Sequence, residues 1–94
     1  MIEVRRVAEG DPLDFEGVIR EGRGETHHHV TMSRQLCNRL TAGEHTPERC
    51  LEAAVRFLLD REPKESILGH FDVAVISRYF PEFERELPRY LSGS

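Results

Sequence analysis

The run from Thr46 to Glu62, TPERCLEAAVRFLLDRE, limits the fold of this chain more than any other stretch, because its pattern suits a helix with an unusually wide apolar face. Thr46 can accept a bond from the first free amides, Pro47 suits the first helical position, and Glu48 places negative charge at the positive end of the dipole. Cys50, Leu51, Ala54, Val55, Phe57 and Leu58 then recur at three- and four-residue spacing, with Arg49, Glu52, Arg56 and Asp60 on the opposite side. Ala53 and Leu59 widen the apolar face, so the helix should touch neighbours on two flanks. Pro63 cannot donate an amide hydrogen, and the helix should stop at Arg61 or Glu62.

Around this helix the chain supplies both strands and helices. Ile2, Val4 and Val7 can form an edge strand in residues 1–14, ahead of the turn residues Gly10-Asp11-Pro12. Phe15–Arg20 and Glu25–Thr31 flank Gly22-Arg23-Gly24, and glycines there make positive φ inexpensive, as a short hairpin loop requires. Strand alternation puts Thr26, His28 and Val30 on one face and His27, His29 and Thr31 on the other, without deciding which faces inward. Ser33 can cap a short helix from Arg34 to about Thr41, with Leu36, Cys37 and Leu40 on one side and Gly43 as its stop.

After Pro63 the chain is still rich in large apolar residues. Asp72 can cap a helix from Val73 to Phe80, although Val73–Ile76 would also suit a strand. Pro81 should open a last helix carrying Phe83, Leu87 and Leu91 on one side, Pro88 should kink or fray it, and Ser92-Gly93-Ser94 should be mobile. The expected architecture is one α+β domain over residues 1–94: an N-terminal antiparallel hairpin, extended to three strands by the first segment, packed on a layer of three to four helices.

Charge and composition exclude some functions. Thirteen basic against seventeen acidic side chains leave a net charge of −4, which opposes binding to nucleic acid through the field of the whole molecule. No segment is a basic arm: residues 25–46 carry two basic and two acidic groups, and every other segment is net acidic. No apolar run is long enough to span a bilayer, and Met1–Arg6 lacks the apolar core of a secretory signal, so a cytoplasmic location is expected. Cys37 and Cys50 are too far apart for a CxxC pair and read as buried, reduced thiols.

Three clusters are candidates for chemistry. Within His27-His28-His29, the alternate residues His27 and His29 share a strand face and could begin a metal site, but no spacing specifies a third ligand from His45, His70, Cys37 or a carboxylate. No nucleophile elbow, phosphate loop or HExxH pair is present, so no catalytic residue and no cofactor is expected. Tyr79, Phe80 and Phe83 surround Pro81, more aromatic surface than a thin C-terminal layer needs; they either cover the long helix or anchor a partner.

The run Val30 to Leu59 resembles the ribbon-helix-helix family of small bacterial DNA-binding proteins: a strand ending Val30-Thr31-Met32, a cap at Ser33, a helix with Leu36 and Leu40, a turn at Gly43, and a second helix from Glu48. The resemblance implies a homodimer whose paired strands enter the major groove, with His27, His29 and Thr31 at the DNA. The text from Arg61 to Glu86 is similar to short bacterial proteins of unassigned function. The leading expectation is a non-enzymatic interaction or regulatory module, homodimeric, with an unidentified protein partner and contacts through Tyr79, Phe80 and Phe83. A DNA-binding regulator is the first alternative, and a histidine-based metal protein or small enzyme the second.

Overall fold

A computed structural model describes residues 1–92 of the chain. One four-stranded sheet, ordered β1 (Ile2–Ala8), β2 (Leu13–Arg20), β3 (Glu25–Met32) and β4 (His70–Asp72), carries all the helices on one of its faces. The helices are α1 (Arg34–Thr41), α2 (Pro47–Leu59), α3 (Ile76–Tyr79) and α4 (Phe83–Ser92), with 3-10 turns at Lys64–Ser66 and Val73–Val75. The architecture is therefore α+β, with N-terminal strands packed against helices. Among the described residues, no helix is long and apolar enough to cross a membrane.

The first three strands form an antiparallel meander, and β4 joins β3 in parallel. Phe15 pairs with Arg6 on one side and Val30 on the other, and Val30 pairs with Phe71, so one row of the inner face crosses the whole sheet. Alternation buries Leu13, Phe15 and Ile19 of β2 and His28, Val30 and Met32 of β3. The inner face of β3 is thus the one with His28, while His27, His29 and Thr31 point to the open face. The hairpin glycines adopt positive φ, 66° at Gly22 and 81° at Gly24.

α2 sits at the centre, as its wide face requires. Its caps are the expected ones: the Arg49 amide donates to Thr46 Oγ1 at 3.1 Å, and Pro47 occupies the first turn. One flank meets β1, where Arg6 donates to both Glu48 oxygens at 2.9 and 2.8 Å, and another meets α4. Phe57 is the hub on the α4 side. Phe83, Phe80 and Tyr90 stand edge-on to it, with ring centroids 5.0, 5.9 and 5.8 Å away, and the Arg61 guanidinium lies 3.6 Å above its ring.

Several boundaries differ from expectation. α2 ends at Leu59, two residues before Arg61: the Arg61 amide tightens onto the Leu58 carbonyl, three residues back, at 2.9 Å, while the Phe57 carbonyl accepts from the Arg61 guanidinium at 3.2 Å. The expected helix from Val73 to Phe80 is divided: Asp72 does cap it, accepting from the Ala74 amide at 2.9 Å, but its first turn is 3-10 and only Ile76–Tyr79 is α-helical. β4, just three residues long, has too little sequence to show a period. α4 begins at Phe83 after a turn through Pro81 and Glu82, and Pro88 is accommodated on its exposed side without ending it. Ser92 belongs to α4, its Oγ donating to the Pro88 carbonyl at 3.0 Å; Gly93 and Ser94 of the expected mobile tail lie outside the described residues.

Candidate functional site

Where α2 ends, the chain crosses to β4 and returns through α3, and these three passages leave an open groove of about 360 Å3 between them. Leu58 comes from the end of α2 and Glu62 from just beyond it, Ser66, Ile67 and Leu68 from the crossing segment, and Phe71 from β4. Val75, Ile76, Tyr79 and Phe80 complete the wall. The surface is mostly aliphatic and aromatic, with the Glu62 carboxylate and the Ser66 and Tyr79 hydroxyls as polar side-chain groups. Four large apolar side chains among the described residues are exposed, and two of them, Leu68 at 53% and Tyr79 at 69%, line this groove.

The crossing segment has little regular structure, yet it is held at three points. His28, buried inside the sheet, donates from Nδ1 to the Leu68 carbonyl at 2.7 Å; the carbonyl can only accept, which assigns the proton to Nδ1. Nε2 of the same ring lies 2.8 Å from Thr26 Oγ1, completing the imidazole's partners. The His29 amide donates to the Gly69 carbonyl at 2.8 Å. Lys64, also buried, reaches the Arg23 carbonyl at 3.5 Å and Glu65 at 2.8 Å, tying the segment to the hairpin loop. On the other wall, Asp72 both caps the 3-10 turn and accepts from Thr31 Oγ1 at 2.6 Å.

The structure divides the expected aromatic cluster. Tyr79 is on the groove's rim and Phe80 is a half-buried part of its wall, in edge contact with Phe57. Phe83 is a correction: at 1% exposure it is a core residue locked against Phe57, because α4 turns it beneath the helical layer. It offers no surface to a partner. Sequence reading gave no site role to His28, Leu68 or Phe71. The alternation that paired His28 with Val30 was the available signal, and it lacked only the identity of the inner face.

On the open face, His27 lies 2.7 Å from Glu25 Oε2, while His29 contacts Asp14 and stacks on His70 with centroids 4.6 Å apart. His27 and His29 are thus engaged with separate carboxylates. Among the described residues, no three His, Cys, Asp or Glu side chains converge to hold a metal ion. Glu16 and Asp14 occupy the neighbouring strand directly opposite His29 and Thr31, so the surface that would meet DNA carries acidic groups. β3 has strand neighbours on both sides, β2 and β4, whereas the intersubunit ribbon implied by the family resemblance needs a free edge.

Cys37 and Cys50 are free and buried. Cys50 is wholly enclosed, with Sγ 3.9 Å from Met32 Sδ, and burial pushes its thiol up to about 12. Neither is poised as a nucleophile. What the groove can do chemically is remove an apolar side chain from water, with a carboxylate and two hydroxyls available to orient polar atoms beside it. No family model, curated protein or solved structure matches this chain.

Proposed function

We propose that this chain is a non-enzymatic interaction module that binds a protein partner by taking an apolar side chain of that partner into the groove between α2, β4 and α3. The observation that carries the reading is the exposure of Leu68 and Tyr79 on either wall of an otherwise apolar depression. Exposed apolar side chains scattered singly are ordinary, but two that share one concave surface define a place where burial is still to be gained. Tyrosine suits such a rim because its ring supplies contact area while its hydroxyl stays wet. Glu62 favours a basic residue beside the apolar anchor.

The experiment is site-specific photocrosslinking in cells from a benzophenone side chain at position 79, alone and combined with Leu68→Asp. A discrete adduct that disappears with Leu68→Asp, and that excess unmodified protein competes away, supports the reading. Absence of any adduct from position 79, with a strong one from a control position on the open sheet face, would reject it and turn attention to His27, His29 and Thr31. The DNA-binding alternative draws less support from the acidic surroundings of those three residues. Its test is duplex affinity at low salt, which should fall steeply as salt is added if the alternative is right.

A further inference from the structure

β1 is an edge strand: among the described residues it has β2 on one side and no strand on the other. The phase of its hydrogen bonds says what that free side offers. Met1 and Arg20 exchange both backbone bonds, and antiparallel ladders alternate, so Glu3 and Arg5 also turn their backbone groups toward β2. Ile2, Val4 and Arg6 therefore turn theirs outward. The regular part of the edge ends at Arg6, where the register shifts before Ala8.

We infer that β1 pairs antiparallel with β1 of a second copy of this chain, about a two-fold axis at Val4, to make a continuous sheet across the dimer. The charge pattern selects this register. With Val4 opposite Val4 of the second copy, Ile2 faces Arg6, and Glu3 faces Arg5 on the open face, once on each side of the axis. Every backbone group that points outward from Ile2 to Arg6 then finds a partner. Glu3 and Arg5 fall at the non-hydrogen-bonded positions, where opposing side chains come closest and opposite charges stabilise most. The neighbouring registers that keep the same backbone bonds fail this test. Moving one step either way sets Glu3 against Glu3, or Arg5 against Arg5, on the axis itself.

Two further features fit. Arg5 already lies 3.2 Å from Glu16, so a second copy's Glu3 on its other side extends a row of alternating sign across the strands. An inward-pointing charge on an edge strand ordinarily deters pairing. Arg6 is such a residue, but its guanidinium is held by Glu48 of the same chain, which leaves its aliphatic stem to face Ile2 of the partner copy. This proposal does not depend on the groove, which lies at the opposite edge of the sheet beside β4.

Sedimentation velocity over a dilution series to high micromolar concentration tests it, using the wild type, Val4→Pro, Glu3→Arg, Arg5→Glu and the Glu3→Arg/Arg5→Glu double variant. The wild type should be a dimer. Val4→Pro removes an outward amide at the axis and spares the ladder to β2, so it should weaken the dimer about tenfold or more with the circular dichroism spectrum unchanged. Each single charge reversal should weaken association, and the double variant should restore it. A wild type that stays monomeric overturns the proposal, as does a folded Val4→Pro that remains dimeric. Should Val4→Pro not fold, the charge variants decide: a double variant no tighter than the singles also overturns it.

Discussion

The buried imidazole of His28 holds the backbone carbonyl of Leu68 at 2.7 Å, so a strand in the middle of the sheet positions the exposed side chain on the rim of the groove. The two residues are forty apart in sequence, and neither stands out alone. Their pairing makes a polar residue in the core and an apolar residue at the surface parts of one device.

Replacing His28 with leucine keeps similar volume but leaves the Leu68 carbonyl without its donor. The expected cost is about 1–3 kcal/mol in denaturant unfolding. Amide exchange should also accelerate through residues 66–69 more than in α2. Uniform loss of protection throughout the sheet would mean that His28 supports the core generally and not the crossing segment.

Phe83 and Tyr79 should separate cleanly on truncation. Phe83→Ala opens the aromatic cluster around Phe57 and should cost about 3–5 kcal/mol. Tyr79→Ala should change stability by about 0.5 kcal/mol or less, because the side chain is largely in water. It should nevertheless weaken partner capture. Equal thermal destabilisation by both substitutions would contradict their placement.

Glu48 predicts a pH dependence of stability. Hydrogen bonds from Arg6 hold its carboxyl below the ordinary 4.5, so the stabilisation is present above that value and is lost as pH falls through the depressed one. Glu48→Gln should therefore cost about 1 kcal/mol near neutrality, discounted for its partial exposure, and progressively less in acid. Unfolding curves from pH 7 down to 3 would check this. A cost that does not shrink in acid would assign the effect to the helix start instead of the ion pair.

The thiols should be silent in the native protein. Cys50 is displaced upward to about 12 by burial, and Cys37 is raised for the same reason, so an aromatic disulfide reagent at mildly alkaline pH should label neither until denaturant is added. Rapid labelling under native conditions would show that the space between α1 and α2 opens far more readily than its packing implies.

Local chemistry made much of this fold legible. Thr46 and Pro47 begin a helix wherever they precede such a pattern, Ser33 caps α1 through the Leu36 amide at 3.0 Å, and Gly22 and Gly24 turn the hairpin through positive φ. The breadth of the apolar face from Cys50 to Leu59 required neighbours on two flanks, which are β1 and α4. These features were readable because their causes lie within a few residues of one another.

Tertiary structure decided the rest. β4 is a strand because β3 presents an open edge to it, and nothing in His70-Phe71-Asp72 alone demands one. Phe83 entered the core and Tyr79 stayed outside because of how α4 docks on Phe57, a choice that the spacing of the aromatics left open. The groove exists only where the end of α2, the crossing segment and α3 meet, so its lining is scattered from Leu58 to Phe80. Sequence alone determined which segments were amphipathic and where α1 and α2 began; the inner face of β3 and the surface left unfilled depended on contacts between segments far apart in the chain.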